Sequence, residues 1–209
     1  PFLPDLRALG PALAGKHVLY LSTVGVYGDH GGDWVDETSP LRPTSRRSIW
    51  RAAAEAAWLD FGTESGAQVQ IFRLAGIYGP GQNAFENLKS GTAKRLIKPG
   101  QVFNRIHVTD IAAALDAALD RGHAGAIWNV TDNEPAPPQD VVTHAAGLLG
   151  VSPPPETPFD PAKLSPMAAS FYGENKRVSN RRLREELGVT LAYPTYREGL
   201  AALLTEPEQ

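Results

Sequence analysis

Cysteine is absent from the 209-residue chain and methionine occurs once. Without a thiol, a disulfide framework, a thiolate-bound zinc and a cysteine nucleophile are all excluded. No metal site is expected, and the composition fits a cytoplasmic protein. Long apolar runs are missing as well: none approaches the ~18 residues that read as a membrane span. Charge of one sign is scarce. Lys and Arg number 20 against 23 Asp and Glu, a formal net charge of -3, which offers no bulk attraction for nucleic acid. What remains is ordinary: 42% hydrophobic and 21% charged residues exclude wholesale disorder and describe a globular chain. The 18 prolines cluster, so long loops are expected between elements.

Three compact apolar runs, at 17–23, 69–73 and 126–131, read as buried strands. Helical spacing recurs between and after them, at 5–14, 45–61, 84–89, 109–121, 139–149, 180–187 and 195–204. Thr44 is the expected cap of the helix at 45–61, whose apolar positions Ile49, Trp50, Ala53, Ala57 and Trp58 share one face. A short strand is expected at 102–108, and irregular structure at 24–43 and 152–166. Strands alternating with helices predict an α/β fold, a Rossmann-like doubly wound parallel sheet. Only three core strands are visible where such sheets have five or more. The pattern therefore reads as the C-terminal portion of the fold, with a small C-terminal substrate-binding region.

An ordered set of short motifs runs through these elements: LSTVGVYG at 21–28, RAAAE at 51–55, FRLAGIYGPG at 72–81, RIHVTD at 105–110 and WNVTD at 128–132. Leu187-Gly188, Pro194 and Glu198-Gly199-Leu200 follow. In this order the set resembles the extended short-chain dehydrogenase/reductase family, the NAD-dependent epimerase/dehydratase group, over residues 17–204. The resemblance implies NAD or NADP as cofactor and hydride transfer at a carbon of a sugar, nucleotide-sugar or small polyol. It also implies a homodimer formed through the helix at 45–61 and its neighbour.

Carried over residue by residue, Thr23 takes the place of the family's substrate-orienting hydroxyl. Arg51 takes the place of its lysine, since Glu55 follows as the family's acidic residue does. The tyrosine place then falls on Arg47. Neither Tyr nor Lys is present, and an arginine cannot be deprotonated to serve as a base. Ordinary Tyr/Lys chemistry is therefore in doubt. One reading has Arg51 facing the ribose or nicotinamide and Arg47 meeting an anionic substrate group; the other has a solvated stripe with an Arg51–Glu55 ion pair. Tyr27 and Tyr78 are the candidate replacement bases. Ser22 and the segment Ala75, Gly76 and Ile77 are expected beside the cofactor, and Tyr78, Arg105 and His107 beside the substrate. His30 and the basic runs at 46–47 and 176–184 read as solvated, and Asp110 as a first-turn acid favoured by the helix dipole.

GVYGDHG at 25–31 has the glycine spacing of a dinucleotide loop but opens no expected helix, so it is rejected as one. Together with Pro1 and the strand count, the missing phosphate loop gives the expectation that residues 1–209 are the C-terminal two-thirds of a longer gene product. On that reading residues 1–75 and 108–132 are the remainder of the dinucleotide-binding core, and 76–107 with 133–209 form the substrate-binding part. A dinucleotide-binding regulator or redox sensor without turnover is the alternative function.

Overall fold

The computed structural model describes residues 6–205. The chain opens with a 3₁₀ turn, Leu6–Leu9, and a one-turn helix α1 (Gly10–Leu13); Asp5 of the expected first helix lies outside the described residues. Then come β1 (His17–Thr23), a 3₁₀ turn Val24–Tyr27, β2 (Trp34–Val35), α2 (Arg46–Ser65), β3 (Gln68–Leu74) and β4 (Gly76–Tyr78). They are followed by α3 (Ala84–Lys89), β5 (Arg95–Ile97), β6 (Arg105–His107), α4 (Val108–Arg121), β7 (Ile127–Val130) and α5 (Pro138–Leu148). β8 (Glu156–Pro158), a 3₁₀ turn Pro161–Lys163, α6 (Pro166–Tyr172), β9 (Arg177–Val178), α7 (Arg181–Glu185) and α8 (Tyr196–Thr205) complete it.

The three expected strands form one parallel sheet in the order β1-β3-β7. The central strand is buried almost throughout, whereas β1 is only partly covered. Strand alternation sorts the side chains by face. Val69 and Ile71 pack with Phe61 of α2. Phe72, Leu74, Trp128 and Val130 pack with the alanine-rich face of α4 and with Leu183 and Leu187. Helices thus cover both faces, as the continuous apolar runs require. A second cluster, with Tyr78, Phe85, Val141, Ala145, Tyr196 and Leu200, lies among α3, α5 and α8.

Several local expectations are corrected. Ser45, not Thr44, caps α2: its hydroxyl accepts from the Ser48 amide at 3.1 Å. α2 runs one turn further than expected and stops at Gly66, whose φ of +76° needs no Cβ penalty. Residues 24–43 and 152–166 are not irregular throughout, because β2 pairs with β9 and β5 with β8. Each of these pairs is two or three residues long and joins distant segments, so no local period announces it. The 25–31 segment opens with a 3₁₀ turn, Val24–Tyr27, capped by Gly28, rather than with a helix, in keeping with its rejection as a phosphate loop.

One rank of the sheet is polar. Ser22, Arg73 and Asn129 are register partners across β1, β3 and β7, and all three are buried. Glu55 of α2 lies over them. Its carboxylate takes Nη2 of Arg73 at 2.7 Å and Nε at 3.1 Å, and accepts from the Ser22 hydroxyl. Arg73 Nη1 donates to Tyr27 Oη at 2.9 Å, and that hydroxyl donates to Asn129 Oδ1 at 2.8 Å. Burial alone lowers the proton affinity of Arg73, but Glu55 and Tyr27 hold it above its ordinary value. The Arg51–Glu55 pair, one of the two readings of this stripe, does not form: Arg51 Nη1 goes instead to Tyr20 Oη and the Leu21 carbonyl. Removing one partner of a buried pair strands the other charge. Glu55→Ala is expected to cost about 3–5 kcal/mol in urea unfolding, and Glu55→Leu combined with Arg73→Met to recover most of that loss.

Candidate functional site

The C-terminal ends of β1 and β3 open on one cavity of about 1280 Å³. Its sheet side is made by Ser22, Thr23, Ala75, Gly76 and Ile77, and its α2 side by Ser45, Arg47, Ser48 and Arg51. Tyr78, Tyr196 and Leu200 line it from the second cluster, Arg105 from β6, and Phe171, Glu174 and Lys176 from the chain after α5. In parallel α/β sheets this rim is where ligands bind, because connections diverge there and leave a crevice.

Most of the sequence-predicted residues meet at this cavity. Thr23 ends β1, and its Oγ1 accepts from the Gly25 amide at 3.1 Å, capping the 3₁₀ turn and leaving its hydroxyl proton for another acceptor. Ser22 is turned to Glu55 and is spent there. Arg47 makes no hydrogen bond or ion pair among the described residues and is exposed. It lies in the first turn of α2, where the helix dipole disfavours a cation. Arg51 holds β1 through Tyr20 and Leu21 while still lining the cavity. Arg105 is folded onto the Phe103 and Ala136 carbonyls at 3.0 and 3.2 Å; burial pulls its proton affinity down.

Two predicted residues do not come to the cavity. Tyr27 is fully buried, tied to Arg73 and Asn129, and its pKa is pushed up to about 12 mainly by burial. A phenol so held cannot act as the base at the rim. His107 is also buried; its Nδ1 accepts from the Thr109 amide at 3.2 Å, and its ring packs on Tyr193 and Tyr78. It is an N-cap of α4 rather than a substrate contact. Tyr78 borders the cavity, but its hydroxyl is packed so close to Gly199 that a Cβ there would lie 2.0 Å away. Burial raises its pKa well above the ordinary tyrosine value, so it too is a poor base. His30 is half-buried, its Nε2 between the Tyr27 and Pro40 carbonyls.

Other residues were missed. Asp110 opens α4 as expected, but its carboxylate also accepts from the Ala192 and Tyr193 amides at 2.6 and 3.1 Å. Lys176, part of a basic run read as solvated, is 6% exposed. Asp132 is buried with Oδ2 unpartnered among the described residues. Burial raises its pKa to about 7, against the Glu134 amide and Arg105, which lower it. A carboxylate whose folded pKa is raised binds its proton more tightly folded than unfolded. The shift therefore carries no penalty in acid, where the group is protonated in both states, and stability is lost as pH climbs from about 4 to 7. Asp132→Asn is expected to raise the midpoint of urea unfolding at pH 8 and to leave it nearly unchanged at pH 4.

The residues present fit the nicotinamide end of a dinucleotide. Gly76 exposes bare backbone, Ile77 offers an apolar side chain 43% exposed, and the Thr23 hydroxyl borders the same space. No group of three or more His, Asp or Glu side chains placed to hold a metal ion occurs among the described residues, and none of their helices is long and apolar enough to cross a membrane.

Comparison with known proteins places the chain in a family. A curated relative, a 3-diazoavenalumate denitrifying reductase from a Streptomyces species, is 31% identical over 183 residues, 79% of this chain. The match spans 58% of that relative's length. A solved structure of a conserved protein of unknown function from Silicibacter pomeroyi is 54% identical, with a TM-score of 0.90 over 99% of this chain and 74% of that one. The dTDP-glucose 4,6-dehydratase of Bacillus anthracis, solved with NAD, shares the fold at a TM-score of 0.76 and 23% identity, covering 95% of this chain and 63% of that one. Residues 6–131 match the model of the NAD dependent epimerase/dehydratase family, and the chain belongs to that family.

Proposed function

We propose that the protein is an NAD(P)-dependent oxidoreductase or epimerase/dehydratase-like enzyme acting on a carbonyl or hydroxyl carbon of a sugar, nucleotide-sugar or small polyol. The observation that carries the reading is the convergence of Thr23, Arg51 and Gly76 on one cavity. The dinucleotide, when bound, supplies or accepts the hydride. Gly76 and Ile77 border the nicotinamide, Thr23 orients the substrate hydroxyl or carbonyl, and Arg51 holds the ribose side while bracing β1. Arg47 and Arg105 meet anionic groups of the substrate. In this reading residues 1–75 and 108–132 serve the dinucleotide, and 76–107 with 133–209 serve the substrate.

A regulator or redox sensor that binds dinucleotide without turnover is the second reading. It is favoured by Arg47 standing in the family's tyrosine place with Tyr27 sealed in the interior. Calorimetry with NADH and NADPH on the complete encoded polypeptide, followed by a carbonyl panel read at the nicotinamide absorbance, separates the two. The enzyme reading expects binding and oxidation of the reduced cofactor. It also expects Arg47→Ala to raise KM for anionic substrates about tenfold, as loss of one charge-assisted contact would. Binding with no turnover across the panel leaves the regulator; no binding of either nucleotide rejects both.

The same reading includes a homodimer through α2. Ile49 and Trp50 are exposed on it at 48% and 38%, and the Arg46 guanidinium lies 4.2 Å from the Trp50 ring centroid. Light scattering is expected to report a dimer that Trp50→Glu converts to monomer at micromolar concentration. A monomeric unsubstituted protein would remove this part of the proposal.

A further inference from the structure

With Tyr27 interior, Tyr78 closed by Gly199 and an arginine in the family's tyrosine place, the cavity needs another source of protons for carbonyl chemistry. Tyr172 is held between the rings of Phe103 and Phe159, at centroid distances of 5.2 and 5.1 Å. Lys176 is the lysine among the cavity's lining residues. It is anchored from two sides. Its Nζ donates to the Gly28 carbonyl at 2.8 Å, at the end of the 3₁₀ turn that begins next to Thr23. Its backbone carbonyl accepts from Asn104 Nδ2 at 3.0 Å, and the Asn104 carbonyl in turn accepts from the Gly76 amide at 3.0 Å. Lys176 is thereby clamped between the Thr23 segment and the Gly76 segment. Its second ammonium bond goes to Glu174 Oε2 at 2.8 Å, and both side chains of this ion pair are largely buried.

A lysine ammonium has three donors, and the structure commits two. We propose that Lys176 is a catalytic residue of this cleft, its third N–H serving as the proton donor to the oxygen of a ketone or aldehyde substrate. This rests on the oxidoreductase reading above. As hydride from the reduced nicotinamide forms the new C–H bond, the carbonyl π pair moves to oxygen. That oxygen takes a proton from Lys176, whose N–H pair stays on nitrogen. The products are the alcohol, the oxidised nicotinamide and a neutral amine, which is reprotonated from solvent, so that each turnover consumes one proton from the medium. In the oxidative direction the same atoms run backwards. Burial of a strongly hydrated ammonium is costly, and the Glu174 carboxylate offsets that cost at the wall of a cavity.

Reductive methylation of the complete encoded polypeptide with formaldehyde and cyanoborohydride, read by peptide mass spectrometry, tests the placement. Lys176 is expected to be modified in the native protein despite its burial. Modification only after unfolding in urea would overturn the proposal. Kinetics test the role in the carbonyl panel. Lys176→Ala is expected to lower kcat about 10²-fold or more, the range of a general acid, with the dinucleotide affinity changed less than about threefold. Ethylammonium is expected to restore part of the rate, and Lys176→Arg to restore none. Because Lys176→Ala leaves Glu174 unpaired, Glu174→Met with Lys176→Met is the folding control: it is expected to keep dinucleotide binding and to be as slow. A Lys176 variant within about threefold of the parent kcat would refute the donor role. If the parent protein reduces nothing in the panel, the turnover reading falls, and with it the donor role, whatever the methylation result.

Discussion

The carboxylate of Glu55 holds the site end of the sheet in place. Standing on α2, it bonds both β1, through Ser22, and β3, through Arg73. In a low-dielectric interior such a carboxylate is tolerable only when its oxygens are filled. Three donors fill them: the Ser22 hydroxyl, Arg73 Nε and Arg73 Nη2. The constraint propagates. Arg73 needs Tyr27, Tyr27 needs Asn129, and Asn129 takes Glu37 on its amide. Fixing these partners fixes where β1 and β3 end, and so where Thr23 and Gly76 stand.

That arrangement also explains why the tyrosines fail as bases. Tyr27 is consumed in satisfying Arg73, and a phenol inside a sheet-helix layer pays desolvation to ionise. Tyr78 is consumed in packing against α8. The cleft is left with cations of different character on its walls: Arg47 exposed and without a partner among the described residues, Arg51 tied to β1, Arg105 folded on carbonyls and Lys176 paired with Glu174. The arginines can orient charge but cannot give up a proton at ordinary pH.

Much of the fold was legible before the structure. The runs at 17–23, 69–73 and 126–131 became β1, β3 and β7, because a strand covered on both faces must be apolar on both. The helices from Arg46 and Val108 followed from their spacing. β2, β5, β8 and β9 were not legible: each is two or three residues long and is stabilised by a partner 61 or more positions away. The partner of Glu55 was not legible for the same reason. An i, i+4 neighbour such as Arg51 is visible in a sequence, while Arg73, brought over by the sheet, is not.

By itself, then, the chain order of its motifs determined the family, the parallel sheet and the rim at which Thr23, Arg51 and Gly76 meet. Local periodicity and turn chemistry act over a few residues, and a sequence displays them directly. Tertiary structure alone decided which polar side chains are spent inside and which face the cavity. Whether Tyr27 or Lys176 reaches a ligand depends on donors and acceptors supplied from distant segments, and burial makes each of those pairings obligatory.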